Sequence, residues 1–137
     1  MSIKIITGTN DEANYVRNKL SEFNSKQVPN GTYEEINLCL KDDNDEIIAG
    51  LNSAICWNWM EIDILWVEDD HRGQGFGRTL LEEAERIARA KNCSFIKLNT
   101  FSFQAPEFYK KYGYYEMAVI DNAPLGNKHY YYKKDLN

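Results

Sequence analysis

Between Trp59 and Lys91 the chain runs through a hydrophobic stretch, Trp-Met-Glu-Ile-Asp-Ile-Leu-Trp-Val67, then Glu68-Asp-Asp-His71, then Arg72-Gly-Gln-Gly-Phe-Gly77, then a charged amphipathic segment. This order predicts strand, glycine turn, helix. Gly73, Gly75 and Gly77 let backbone N–H groups approach a ligand with no Cβ in the way. The helix that follows points its unsatisfied first-turn donors and positive dipole end at the same place. The segment is shaped to hold a phosphate.

What the cradle lacks narrows the choice. A phosphate loop of the nucleotide-hydrolysing type needs Gly-Lys-Ser/Thr, whereas Gly77 is followed by Arg78-Thr79-Leu80, leaving no lysine for a terminal phosphate and no hydroxyl for Mg²⁺. The dinucleotide fingerprint wants a third glycine where Arg78 stands, and an acidic ribose partner about 20 residues on is missing. What remains is Arg72-x-x-Gly75-x-Gly77 directly after a hydrophobic strand. Further on, Ala105, Phe108, Tyr109, Gly113 and Tyr114 fit an Ala-x-x-Phe-Tyr-x-x-x-Gly-Tyr pattern. The two motifs, in this order and about thirty residues apart, resemble the coenzyme A loop and the following helix of the GNAT superfamily of N-acetyltransferases, over roughly Ile47 to the C-terminus.

The resemblance implies a single α/β domain with a mixed, mostly antiparallel sheet of about six to seven strands. Its fourth and fifth strands would be parallel and splayed around acetyl-CoA, with helices on both faces. It implies backbone contacts to pantetheine from Leu65, Trp66 and Val67, and pyrophosphate binding by Arg72, Gly73, Gln74, Gly75, Phe76, Gly77, Arg78 and Thr79. Further cofactor contacts are implied at Ser102, Ala105 and Phe108, although Ser102 stands where many relatives have asparagine. The implied reaction is acetyl transfer to a primary amine by direct attack. Glu61, six positions before Val67, would be the general base and Tyr109 the general acid, while the backbone N–H of Leu65 polarises the acetyl carbonyl.

Composition sets outer bounds. A chain of 137 residues with 43% hydrophobic residues suffices for one domain with its own core. No apolar run reaches the 18 or more residues of a membrane span, and Met1-Ser-Ile-Lys opens directly into strand-like sequence, so a cytoplasmic protein is expected. A net charge of -5 argues against a nucleic-acid partner. Cys39, Cys56 and Cys93 are widely spaced and read as buried thiols rather than a disulfide or zinc framework. Neither His71 nor His129 has a metal-ligand spacing, so both read as surface or turn residues and no metal is expected. The resemblance implies a small-molecule or peptide amine as acceptor, with monomer and homodimer both compatible.

Periodicity fills in the other elements. Ile3 to Thr7 reads as a first strand, and Thr9-x-x-Glu12 as a capping box opening a helix that carries Val16, Leu20 and Phe23 on one face and ends near Asn24. A loop follows from Ser25 to Gly31. Ile36, Leu38 and Leu40 alternate as a half-buried strand does, and Asp42 to Asp45 make a solvated turn, since the glycine and glutamate of a calcium loop are absent. Strands are expected at Ile47 to Cys56, Trp59 to Val67, Phe95 to Thr100, Tyr115 to Ile120 and His129 to Lys133. A helix from Gly75 to Lys91 would bury Phe76, Leu80, Ala84, Ile87 and Ala88 and pair Glu82 with Arg86 and Glu85 with Arg89 outside. A short helix spans Pro106 to Tyr112.

Alternation along Trp59 to Val67 puts Glu61, Asp63, Leu65 and Val67 on one face, and Met60, Ile62, Ile64 and Trp66 on the other. The two carboxylates would then have Cα atoms about 6.6 Å apart. An alkylammonium near 10.4 must lose its proton before attack, which at pH 7 costs about 4–5 kcal/mol. Free glutamate, near 4.3, is a weak acceptor, so this role requires burial or a water relay. Trp57, Trp59 and Phe23 read equally well as the border of an acceptor pocket or as aromatic core. Two other functions fit the residues: a non-catalytic acyl-CoA sensor, and a hydrolase using Glu61 and Asp63 as paired acids. The phosphate cradle gives the hydrolase no purpose.

Overall fold

In the computed structural model, which describes residues 1–137, the alternating and amphipathic segments become three helices and six strands. These are α1 (Asn10–Gln27), β1 (Tyr33–Lys41), β2 (Ile47–Cys56), β3 (Trp59–Val67), α2 (Phe76–Ala90), β4 (Phe95–Phe101), α3 (Pro106–Lys111), β5 (Tyr115–Asp121) and β6 (Lys128–Asp135). The strands form one sheet in the order β1-β2-β3-β4-β6-β5. Only β3 and β4 are parallel, joined by the crossover through α2. This is the mixed α/β architecture that the sequence predicts. No helix is long and apolar enough to cross a membrane.

The contacts group the chain into two compact units, Met1–Gly31 and Thr32–Asn137. In the first, the capping box forms as expected: Thr9 N–H donates to Glu12 Oε1 at 2.8 Å and Glu12 N–H to Thr9 Oγ1 at 3.2 Å. Helix α1 continues to Gln27 instead of ending near Asn24. Nothing in Ser25-Lys-Gln27 breaks a helix, and the first residue forced out is Val28, which precedes Pro29. The expected strand at Ile3 to Thr7 does not form. Alternation makes a segment suitable for a strand, but a strand exists only where a neighbour supplies the ladder.

In the second unit one face of the sheet is packed under α2. Ala49, Leu51 and Ile55 of β2, Met60 and Ile62 of β3, and Ile96 and Leu98 of β4 are buried against Leu80, Leu81, Ala84 and Ala88. The predicted helix face is rotated slightly. Leu81 and Glu85 are buried, while Phe76 and Ile87 are half-buried. Glu85 is therefore inside rather than on the outer surface. Its carboxylate accepts from Tyr114 Oη at 3.1 Å and Lys134 Nζ at 2.8 Å, with Arg89 at 3.8 Å. The expected Glu82–Arg86 pair is replaced by Arg78–Glu82 at 2.7 Å and Arg86–Glu83. Cys93 is the one buried thiol, Cys56 being half-buried and Cys39 exposed.

Packing also decides the pH response. Burial pushes the Tyr109 phenol from 10.0 up to about 12, so the native fold favours its neutral form. Stability from this group is complete below pH 10 and is lost as pH rises from 10 towards 12, because the unfolded chain gives up the proton first. Two units correspond to about 2.7 kcal/mol. Tyr114 is raised in the same direction by burial and then by the Glu85 charge. A urea midpoint that is flat from pH 7 to 9.5 and falls steeply above 10 is the expected result. A midpoint unchanged at pH 11 would contradict it.

Candidate active site

The site begins where two strands part. The β3/β4 register ends at Ile62↔Leu98. From there β3 continues beside β2 as far as Ala49↔Val67, and β4 beside β6 as far as Phe101↔His129. Residues 63 to 67 thus have a strand on one side only. Their backbone on the other side faces the fork.

A bulge sits at the same point. Asn52 pairs with Ile64 and Ser53 with Ile62, so Asp63 has no partner in β2. The extra residue reverses the phase of β3. Met60 and Ile62 face the core before it, and after it Leu65 and Val67 do, opposite buried Leu51 and Ala49. Ile64 and Trp66 turn to the open face, 49% and 41% exposed. The expectation that Glu61, Leu65 and Val67 share a face is corrected on this ground. Simple alternation does not survive an inserted residue.

Glu61 and Asp63 still meet in space. Both line a cleft of about 410 Å³ with Glu35, Asn37, Asn52 and Asn99. Lys97, the parallel neighbour of Glu61, holds its Nζ 3.8 Å from Glu61 Oε1 and 5.4 Å from the Trp59 ring centre. Cys56 also lines the cleft. Burial first, and then the charge of Glu61, raise its thiol, with Lys97 opposing. A thiol kept protonated is a poor nucleophile. Trp59 stacks on Phe95 with centroids 5.7 Å apart and Trp57 is exposed. Phe23 lies in the first unit.

The glycine loop crosses the end of β3. Gly73 and Gly75 have φ of +79° and +83°, a region L side chains avoid, and a Cβ added at either would meet no atom within 4 Å. Open space therefore surrounds both positions. The first helical bond of α2 is Thr79 N–H to Gly75 O at 3.0 Å, doubled by Thr79 Oγ1 at 3.0 Å. The preceding amides, including those of Gln74, Phe76 and Arg78, are left as the orphan donors of a helix start. The first turn of α2 carries no acidic side chain. This donor set fits a diphosphate. Arg72 braces the loop, its Nε donating to Val67 O at 3.1 Å and its guanidinium pairing with Asp69 at 3.1 Å. At Gly77 a Cβ would stand 3.3 Å from Phe108 Cζ, a tight contact that the ring would have to relieve by moving a few tenths of an ångström.

A family model described as the Acetyltransferase (GNAT) family matches residues 11–114. The chain belongs to the GNAT family of acetyltransferases. It is 37% identical over 92 residues to the blasticidin-S acetyltransferase of Streptomyces morookaense, covering 66% of this chain and 68% of that protein. The crystal structure of an acetyltransferase from Bacillus cereus ATCC 14579 superposes with a TM-score of 0.92 at 37% identity, covering 97% of each chain. An aminoglycoside 6'-N-acetyltransferase solved with coenzyme A shares the fold, with a TM-score of 0.68 at 18% identity over 98% of both chains.

In this GNAT acetyltransferase the second motif packs against the start of α2 through Phe108. Ala105 precedes α3 as its N-cap, with Pro106 at the first helical position. Phe108 packs against Gly77 and edge-on to Tyr109, and Tyr109 is 9% exposed among Tyr114 and Tyr132. Ser102 Oγ accepts from Lys128 N–H at 2.9 Å and lies 3.4 Å from Asn127 Oδ1. It therefore ties β4 to the start of β6. The sheet brings Asn99, which the sequence did not single out, within 3.0 Å of His129, which read as a surface or turn residue and lies half-buried on β6. The only signal available was the two-residue alternation that sets Lys97 and Asn99 on one face.

Proposed function

We propose that this acetyltransferase transfers the acetyl group of acetyl-CoA to the primary amine of a small molecule by direct attack. The observation that carries this reading is the fork beyond Ile62↔Leu98, with the amide cradle at one end and the carboxylate-lined cleft on the open face. Arg72 and the amides of residues 73 to 78 would hold the pyrophosphate, flanked by the Arg78 and Thr79 side chains. The backbone edge of residues 65 to 67 that faces the fork would hold the pantetheine arm, with Ala105 and Phe108 as the opposite wall. Ser102 shapes this wall through its bonds to residues 127 and 128. Acetyl-CoA supplies the activated acyl group.

The protein's own groups then divide the work. The Leu65 N–H donates to the carbonyl oxygen as negative charge develops there. Glu61 is half-exposed and already faces Lys97, so it removes the amine proton through a water molecule rather than by direct contact. Tyr109, at about 12, is a weaker acid than a thiol near 8.5. It helps the leaving thiolate by donating a hydrogen bond more than by surrendering a proton. Replacing Glu61 by glutamine is expected to lower turnover about 100-fold at pH 7, with partial recovery at pH 9 where the free amine is more abundant, an effect within the usual range for a general base. Full turnover at pH 7 would move the role to Asp63. For Tyr109→Phe a loss of about fivefold at saturating acetyl-CoA is expected, since one hydrogen bond is worth about 1 kcal/mol.

Thiol release from acetyl-CoA with a panel of amines, blasticidin S among them, tests the whole reading. Release that depends on the amine and a product heavier by one acetyl group are expected. Tight coenzyme A binding with no release for any amine would favour a non-catalytic acyl-CoA sensor.

A further inference from the structure

Asn99 is the first residue of β4 beyond the last pair shared with β3. Its neighbours Leu98 and Thr100 are buried in the core, so its own side chain lies on the open face, where it lines the cleft with Glu61 and Asp63. On β6, His129 pairs with Phe101, and its Nε2 reaches Asn99 Oδ1 diagonally at 3.0 Å. This contact requires the proton on Nε2, because the amide oxygen only accepts. The imidazole cannot easily turn away: it stacks on Phe101 with centroids 4.3 Å apart and rests against Tyr131 at 4.6 Å.

With its oxygen engaged, the Asn99 amide has two N–H donors left, and neither donates to another protein group. In the same cleft stand the carboxylates of Glu61 and Asp63, Glu61 with Lys97 Nζ 3.8 Å away. The cleft therefore offers carboxylates to an ammonium and amide donors to an oxygen beside it. We propose that Asn99 selects acceptors bearing a carbonyl or hydroxyl oxygen close to the reacting amine, and that His129 is a positioning residue that fixes the Asn99 amide in the donating orientation. The acceptor class is an amino alcohol or amino amide rather than a plain polyamine. This rests on the acetyl-transfer reading above.

Ethanolamine and propylamine form a nearly isosteric pair differing by hydroxyl against methyl. The wild type is expected to favour ethanolamine about tenfold more in kcat/KM than Asn99→Ala does, the value of one hydrogen bond of about 1.4 kcal/mol. The change should fall on the KM for the amine, with the KM for acetyl-CoA unaltered. His129→Phe keeps the aromatic stack and removes the donor, so it should lose most of the same preference. His129→Gln should restore part of it, and the double variant Asn99→Ala/His129→Phe should lose no more than Asn99→Ala.

A preference unchanged in Asn99→Ala, or losses that multiply in the double variant, would overturn the proposal. A readout that needs no acceptor is the Asn99 side-chain NH₂ signal in selectively labelled protein. It should shift and sharpen in His129→Phe, and an unchanged signal would remove the positioning role. Should coenzyme A fail to bind at all, the acetyl-transfer reading falls while the NMR result still decides whether His129 orients Asn99.

Discussion

Valine at position 75 is expected to abolish measurable coenzyme A uptake, weakening binding at least 100-fold by calorimetry. Gly75 holds φ at +83° with open space around the missing Cβ. A β-branched residue there carries about 1–3 kcal/mol of backbone strain, and its methyl groups fill the space in front of the amides of α2. The first helical turn then either shifts or is covered. Gly73→Ala, with a smaller group at a similar φ, should weaken binding by an intermediate amount. If Gly75→Val bound coenzyme A as tightly as the wild type, the diphosphate would not be seated on this loop, and the roles assigned to Arg72 through Thr79 would fall together.

The largest effect on stability is expected at Glu85. Its side chain is 8% exposed and paired with Lys134, itself 22% exposed, and with the Tyr114 hydroxyl. Glu85→Ala leaves a half-buried ammonium and a buried hydroxyl with nothing to meet. Breaking a buried pair in this way costs about 3–5 kcal/mol, and the lower end applies because Lys134 reaches solvent. Urea unfolding should show a midpoint lowered to match, with coenzyme A affinity little changed at low denaturant. A loss under about 1 kcal/mol would mean that water solvates the Lys134 ammonium and the Tyr114 hydroxyl at little cost. Lys134 also packs its Cε 3.4 Å from the Cβ position at Gly113, so this network fastens the end of the second motif to α2 and β6.

Both variants probe features of different legibility. The glycine loop could be read from the chain because its physics is local. Positive φ, the missing Cβ and the orphan amides of a helix start all lie within seven consecutive residues, and the strand before them and the helix after them carry their own periodicities. The same holds for the Thr9–Glu12 capping box and for the Ala105 to Tyr114 motif. Glu85 was misplaced to the outer surface, since periodicity alone cannot tell that Tyr114 and Lys134, 29 and 49 residues away in sequence, would come to meet it.

The order of strand, glycine loop and helix and the membership of a recognisable family were thus written in neighbouring residues, where dihedral preference and hydrophobic period act. Which face each β3 side chain takes was not. The bulge at Asp63 exists only against the register of β2, and it sends Leu65 and Val67 to the core while Glu61 stays on the open face. The fork, the Lys97 contact to Glu61 and the His129 bond to Asn99 likewise come from strands paired across tens of residues. Tertiary structure decided these points because hydrogen-bond register between distant strands is a property of the assembled sheet, and no local preference encodes it.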